Sequence, residues 1–199
     1  MKSAIVEVEE IVRLQSDWTQ QWHEAPTPAQ TGEPWVAIEN NHRMNFDLWH
    51  AEDAARRDDL GPASVRDAKR TIDRCNQARN DAIEKFDVWL LGQFLPLPVD
   101  APLHSETPGM IVDRLSIMAL KIYHMRIEAA RETADGAQRE KCAQKCALLE
   151  EQHGDLKNCL KELLAELAAG TRRFKLYRQF KMYNDAALNP QLYQQSAKR

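Results

Sequence analysis

Glycine is scarce in this chain, with seven in 199 residues, and none stands in a G-x-G-x-x-G or G-x-x-x-x-G-K pattern. That excludes the glycine-rich turns with which nucleotide and dinucleotide folds wrap phosphate. Cysteine is scarce as well: Cys75, Cys142, Cys146 and Cys159 lack the paired Cys-x-x-Cys spacing of a zinc site and fall in apolar helical strips, so reduced core thiols are expected. No window approaches the ~18 uninterrupted apolar residues of a membrane span. The first ten residues place acids where a signal peptide has its apolar stretch, and a cytoplasmic protein is expected. Strand-like alternation, internal repeats and low-complexity tracts are also missing.

What remains is helical periodicity. Val8, Ile11, Gln15, Trp18 and Trp22 predict a first helix over 3–24, ended by Pro26, Pro28, Gly32 and Pro34. A second helix starts at Trp35. Gly61-Pro62 breaks the chain before a third, which runs to about Phe94 on Val65, Ala68, Ile72, Cys75, Ala82, Ile83, Phe86 and Leu90. Thr107-Pro108 provides a cap and a first-turn proline for a fourth helix over 108–133, apolar on nearly every side and hence central. A fifth, over 137–169, alternates fours and threes through Cys142, Cys146, Leu149, His153, Leu156, Leu160, Leu163 and Leu167, and Gly170 ends it. The expected fold class is all-α: a single-domain bundle of five main helices plus a short C-terminal helix over 171–184. The expected organisation is an N-terminal helix and Pro-rich loop (1–34), a core bundle (35–170) and a basic strap (171–199).

The second helix is unusual. Met44, Leu48, Ala51 and Ala55 form a thin apolar strip, and at about 100° per residue Asn41, His42, Asn45, Trp49, Glu52, Asp53 and Arg56 fill the arc beside it. Buried charges cost several kcal/mol each unless paired, so this arc predicts a matched polar network or a wet pocket. The third helix repeats the pattern. Asn76, Asn80, Glu84 and Asp87 flank its strip while Arg79 falls inside it, requiring a buried acid for which Glu52 and Asp53 are the candidates. Asp113, Lys121 and His124 add polar groups to one side of the fourth helix.

These groups make the candidate site. Glu52, Asp53 and His124 are the candidate catalytic residues, and Asn41, His42, Asn45, Arg56, Asn76, Arg79, Asn80, Asp113 and Lys121 the candidate ligand-binding ones. Glu84 and Asp87, one turn apart, are candidate ligands for a divalent cation such as magnesium, which takes oxygen donors. The expected function is binding of, or action on, a small anionic metabolite, phosphorylated ones included. The alternative is a non-enzymatic interaction module whose polar interior is purely structural. The histidines show no His-Glu-x-x-His zinc pattern.

The formal charge is −3, yet residues 171–199 hold seven bases against one acid, a balance of +6 that leaves −9 on residues 1–170. The strap either neutralises the body it folds on or clamps an anion. Its interleaved Phe174, Tyr177 and Phe180 are expected to dock on the bundle, and nucleic acid is not an expected partner. The seam of the fifth helix is the candidate surface for a homo-oligomer.

Two motifs carry resemblances. Glu84-x-x-Asp87 is similar to the second acidic motif of the all-α nucleoside triphosphate pyrophosphatases, whose preceding Glu-Glu-x-x-Glu is missing here. Far more of the chain resembles the bacterial domain-of-unknown-function family forty-two fifty-four. Asn41-His42-x-x-Asn45-x-x-Leu48-Trp49-His50-x-Glu52-Asp53-x-x-Arg56 and Ile72-Asp73-x-x-Asn76-Gln77-x-Arg79-Asn80-Asp81 carry it first. Glu106-Thr107-Pro108-Gly109, Asp113-Arg114-Leu115-Ser116 and Gln179-Phe180-Lys181-Met182-Tyr183-Asn184 follow. The resemblance implies a helical cytoplasmic bacterial protein and brings no reaction, substrate or cofactor with it.

Overall fold

The computed structural model describes residues 6–94 and 96–178. Among the described residues the regular structure is helical: α1 (Val8–Glu24), α2 (Trp35–Ala55), α3 (Gly61–Phe94), α4 (Pro108–Ala130) and α5 (Gly136–Ala169), with a 3-10 turn at Asp58–Leu60. The five-helix, all-α expectation holds.

Helix ends follow the local chemistry. The Thr107 hydroxyl accepts from the Met110 amide at 3.2 Å with Pro108 at the first helical position, and the Asp135 carboxylate accepts from the Gln138 amide at 2.7 Å. Gly170 closes α5 with φ of 70°, a left-handed conformation that favours glycine.

Short links make antiparallel hairpins of α2 with α3 and of α4 with α5, and α4 also touches α1, α2 and α3. The thin strip on α2 seals the first hairpin: Leu48 and Ala51 pack on Ile72 and Cys75, with Met44 and Ala55 at the margins. The main core gathers Ile11, Trp18, Ile38, Phe86, Leu90, Leu115 and Leu160. Met118, Leu120 and Ile122 of α4 are buried as well, the environment an all-round apolar helix requires.

Two expectations need correction. Residues 171–178 are not helical: Arg173 bridges to Leu103, its amide bonding Pro102 O at 3.1 Å and its carbonyl accepting from His104 N at 2.8 Å. The α5 cap turns the chain onto the 98–107 loop, whose backbone satisfies these groups in place of an i→i−4 ladder. Phe174 still docks and is buried, whereas Tyr177 is exposed; residues 179–184 lie outside the described residues. Second, Cys159 is exposed while the other three thiols are buried. The α5 strip packs on α4 along part of its length, with Cys142, Cys146, Leu160, Leu163 and Leu167 buried and Leu149, His153 and Leu156 half-buried.

Candidate functional site

The polar arc of α2 meets α1 and α4 in a buried hydrogen-bonded chain. Thr19 donates its hydroxyl proton to Gln15 O at 2.7 Å, so toward His42 Nε2, 2.9 Å away, it accepts. His42 Nδ1 is then bare and accepts from the Ser116 hydroxyl at 2.8 Å. Ser116 in turn accepts from Asn45 Nδ2 at 3.0 Å, whose other proton goes to Asp113 Oδ1 at 2.8 Å. Asn41 Nδ2 reaches the same carboxylate oxygen at 2.8 Å, and Gln15 Nε2 donates to Val112 O at 3.1 Å.

This order of protons makes His42 the neutral Nε2–H tautomer. Complete burial pushes its pKa down to about 3, with Arg43 adding repulsion. Trp18 and Trp22 flank the imidazole, ring centres 5.9 and 5.2 Å away, and the Arg43 guanidinium lies 3.7 Å over Trp22. A dry aromatic wall of this kind penalises the charged imidazolium.

Arg79 joins the chain from α3. Its Nη1 donates to Asn45 Oδ1 at 3.4 Å and its Nε lies 3.9 Å from Asp113 Oδ1. The buried acid that Arg79 requires is therefore Asp113 of α4, and not Glu52 or Asp53. Those two pair instead with Arg56 at 3.3 and 3.5 Å on an exposed surface. One turn of α2 separates each from its partner, closer than any residue of α3.

The chain opens on one side. Asn45, Trp49, Glu52, Asp53, Arg56 and Arg79 line a cleft of about 290 Å³, with Leu48, Ile117 and Leu120 as its apolar wall. The cleft therefore collects five of the candidate residues. His124 is excluded from its lining because Trp49 lies between: the indole and imidazole stack at 4.4 Å, nearly parallel.

Behind Trp49 lies a group that periodicity did not find. His23 of α1, His50 of α2 and His124 of α4 bring their ring centres within 5.2 to 6.1 Å of one another, with Tyr123 stacked on His23 at 4.5 Å. Burial holds His50 and His124 below the ordinary histidine pKa, His23 adds repulsion to both, and Asp53 opposes it. His23 Nδ1 bonds Thr19 O at 2.6 Å. No wheel of a single helix shows this cluster, since each helix contributes one member.

The remaining candidates disperse. Asp87 is buried at the start of α4, accepting from the Gly109 amide at 2.7 Å, and burial raises its pKa to about 6 against the lowering bonds of Thr107 and Gly109. Asn80, Glu84 and Asp87 line a separate hollow of about 300 Å³ beneath Leu176–Arg178, where Glu84 pairs with Arg178 at 3.3 Å. Asn76 is half-buried on α3 outside both hollows. Lys121 is exposed and faces a groove of about 630 Å³ between α4 and α5, away from Arg79. Among the described residues no three His, Cys, Asp or Glu side chains are placed to hold a metal ion, so Glu84 and Asp87 find no third ligand there. Nor is any described helix long and apolar enough to cross a membrane.

Fold and site together define an all-α bundle in which a sealed polar junction supports an arginine at the wall of a charged cleft. The chain belongs to the family described as Protein of unknown function (DUF4254), whose sequence profile matches residues 35–176. That span starts at the first residue of α2 and contains the whole cleft, while the Gln15, Thr19 and His23 side of the junction precedes it. No curated protein and no solved structure matches the chain.

Proposed function

We propose that the cleft between α2, α3 and α4 binds a small molecule through an anionic group. One observation carries this reading: Arg79 is bonded to Asn45 and paired with Asp113 while forming part of the cleft wall. A guanidinium held by a hydrogen-bonded frame loses little freedom on meeting a carboxylate or phosphate. In this reading Arg79 takes the anion, Arg56 assists at the rim, and Asn45 and Asp113 position Arg79. Asn41 and His42, buried and bonded to protein groups, act as its frame. Glu52 and Asp53 are the carboxylates available at the rim for water or a cation.

The test is thermal shift and calorimetric titration of the purified protein with a panel of small carboxylates and phosphates, with and without magnesium. A ligand at 100 times its dissociation constant adds about 2.7 kcal/mol of stability. Arg79→Gln is expected to abolish the shift while the variant stays folded by circular dichroism. A panel without a single shift, or an undiminished shift in the variant, overturns the reading.

A further inference from the structure

The charges in the cleft are balanced, two arginines against Glu52 and Asp53. A purely anionic guest would meet the arginines and leave two carboxylates facing it at the rim. The balance is also spatially ordered. Arg79 bonds at the level of Asn45, whereas Glu52 lies seven residues further along α2, roughly 10 Å at 1.5 Å per residue. Side-chain reach shortens the gap between the charged ends, and what lies between them is apolar: Trp49, Leu48, Ile117 and Leu120.

Size narrows the guest further. About 290 Å³ is roughly ten water volumes at about 30 Å³ each, at the lower edge of ligand pockets, the room that a single ring takes. The indole of Trp49 lines the cleft and stacks on His124 behind it, and an aromatic lining residue favours a flat guest.

Resting on the reading above, we infer that the ligand is a zwitterion with its charges at opposite ends of a flat apolar skeleton of about a dozen non-hydrogen atoms. The carboxylate meets Arg79, the skeleton lies along Trp49 and Ile117, and the ammonium meets Glu52 and Asp53. The Arg56 pairs with these acids are exposed, and such pairs are weak enough for an ammonium to compete with.

Three probes sharing one skeleton test this by calorimetry: 4-(aminomethyl)benzoate, 4-methylbenzoate and 4-methylbenzylamine. The first is expected to bind at least about tenfold tighter than either of the others. Combined Glu52→Gln and Asp53→Asn substitution, at exposed positions, is expected to abolish the advantage of 4-(aminomethyl)benzoate over 4-methylbenzoate. Equal binding of 4-methylbenzoate and 4-(aminomethyl)benzoate to the unaltered protein overturns the inference and leaves the anion reading standing. Binding of none of the three while other carboxylates or phosphates bind also overturns the inference alone, and binding of 4-methylbenzylamine with no carboxylate or phosphate bound removes both. No binding by any of them removes both.

Discussion

The Ser116 hydroxyl lies 2.8 Å from His42 Nδ1, yet the two do not form an activated nucleophile. The far ring nitrogen meets Thr19 where a triad would present a carboxylate, Asp113 is engaged by the amides of Asn41 and Asn45, and neither Ser116 nor His42 is exposed. Nucleophilic catalysis needs an oriented base and a path for substrate. Ser116 instead satisfies a buried imidazole and ties α4 to α2.

Truncating His42 to alanine strands the Ser116 hydroxyl proton in the core, while Thr19 keeps its bond to Gln15 O. The expected loss is about 2–4 kcal/mol, from a cavity and one unmet donor. Equilibrium urea unfolding measures it; a loss under about 0.5 kcal/mol, the range of ordinary surface substitutions, contradicts the described network.

The pH dependence has two opposed parts. His42 titrates near 3 when folded and near 6.5 when unfolded, so the unfolded chain takes the proton first. Its contribution is complete above about pH 6.5 and declines as pH falls toward 3, by up to about 5 kcal/mol. Asp87, raised to about 6 in the folded chain, holds its proton longer than the unfolded carboxyl does. Its contribution is complete below about pH 4 and declines as pH rises through 6. Chemical denaturation of wild type and Asp87→Asn between about pH 4 and pH 7 separates them: the wild type is expected to lose stability relative to the variant as pH rises. A constant difference contradicts the buried carboxyl.

A Cβ at Gly109 would sit 2.8 Å from Asp87 Oδ1, because this carboxylate closes on the first turn of α4. Gly109→Ala is expected to cost about 1–3 kcal/mol by steric overlap. In an Asp87→Ala background the same change is expected to be nearly neutral, and the double-mutant cycle isolates the contact. Equal penalties in both backgrounds would show that Asp87 is not what excludes a side chain there.

Histidine proton resonances followed from about pH 5 to pH 8 report the three-ring cluster directly. His50 and His124 are expected to titrate below ordinary histidine, and His23→Gln to move both midpoints upward by removing a neighbouring positive charge. Midpoints that do not move would leave burial, with His50 beside His124, as the origin of the shift.

Of the candidate site, the sequence disclosed the parts that belong to single helices. The arc of Asn41, Asn45, Glu52, Asp53 and Arg56 follows from 3.6 residues per turn, and the anomaly of Arg79 within an apolar strip announced a buried carboxylate. It could not say which carboxylate. Glu52 and Asp53 fitted the antiparallel register, but Arg56 lies one turn away on their own helix, leaving Arg79 to Asp113 across the bundle. The segment after Gly170 misled for a related reason: its aromatic spacing suits a helix, while the open backbone of the 98–107 loop offers Arg173 hydrogen bonds that a helix would forgo.

By itself the sequence determined the five helices, their caps at Thr107 and Gly170, and the face each turns inward, because propensity, capping and hydrophobic period act over a turn or two of chain. Tertiary structure alone decided the Asp113–Arg79 pairing, the neutral His42 between Thr19 and Ser116, and the meeting of His23, His50 and His124. Those outcomes depend on crossing geometry and on the desolvation that packed neighbours impose, and both arise only when separate helices meet.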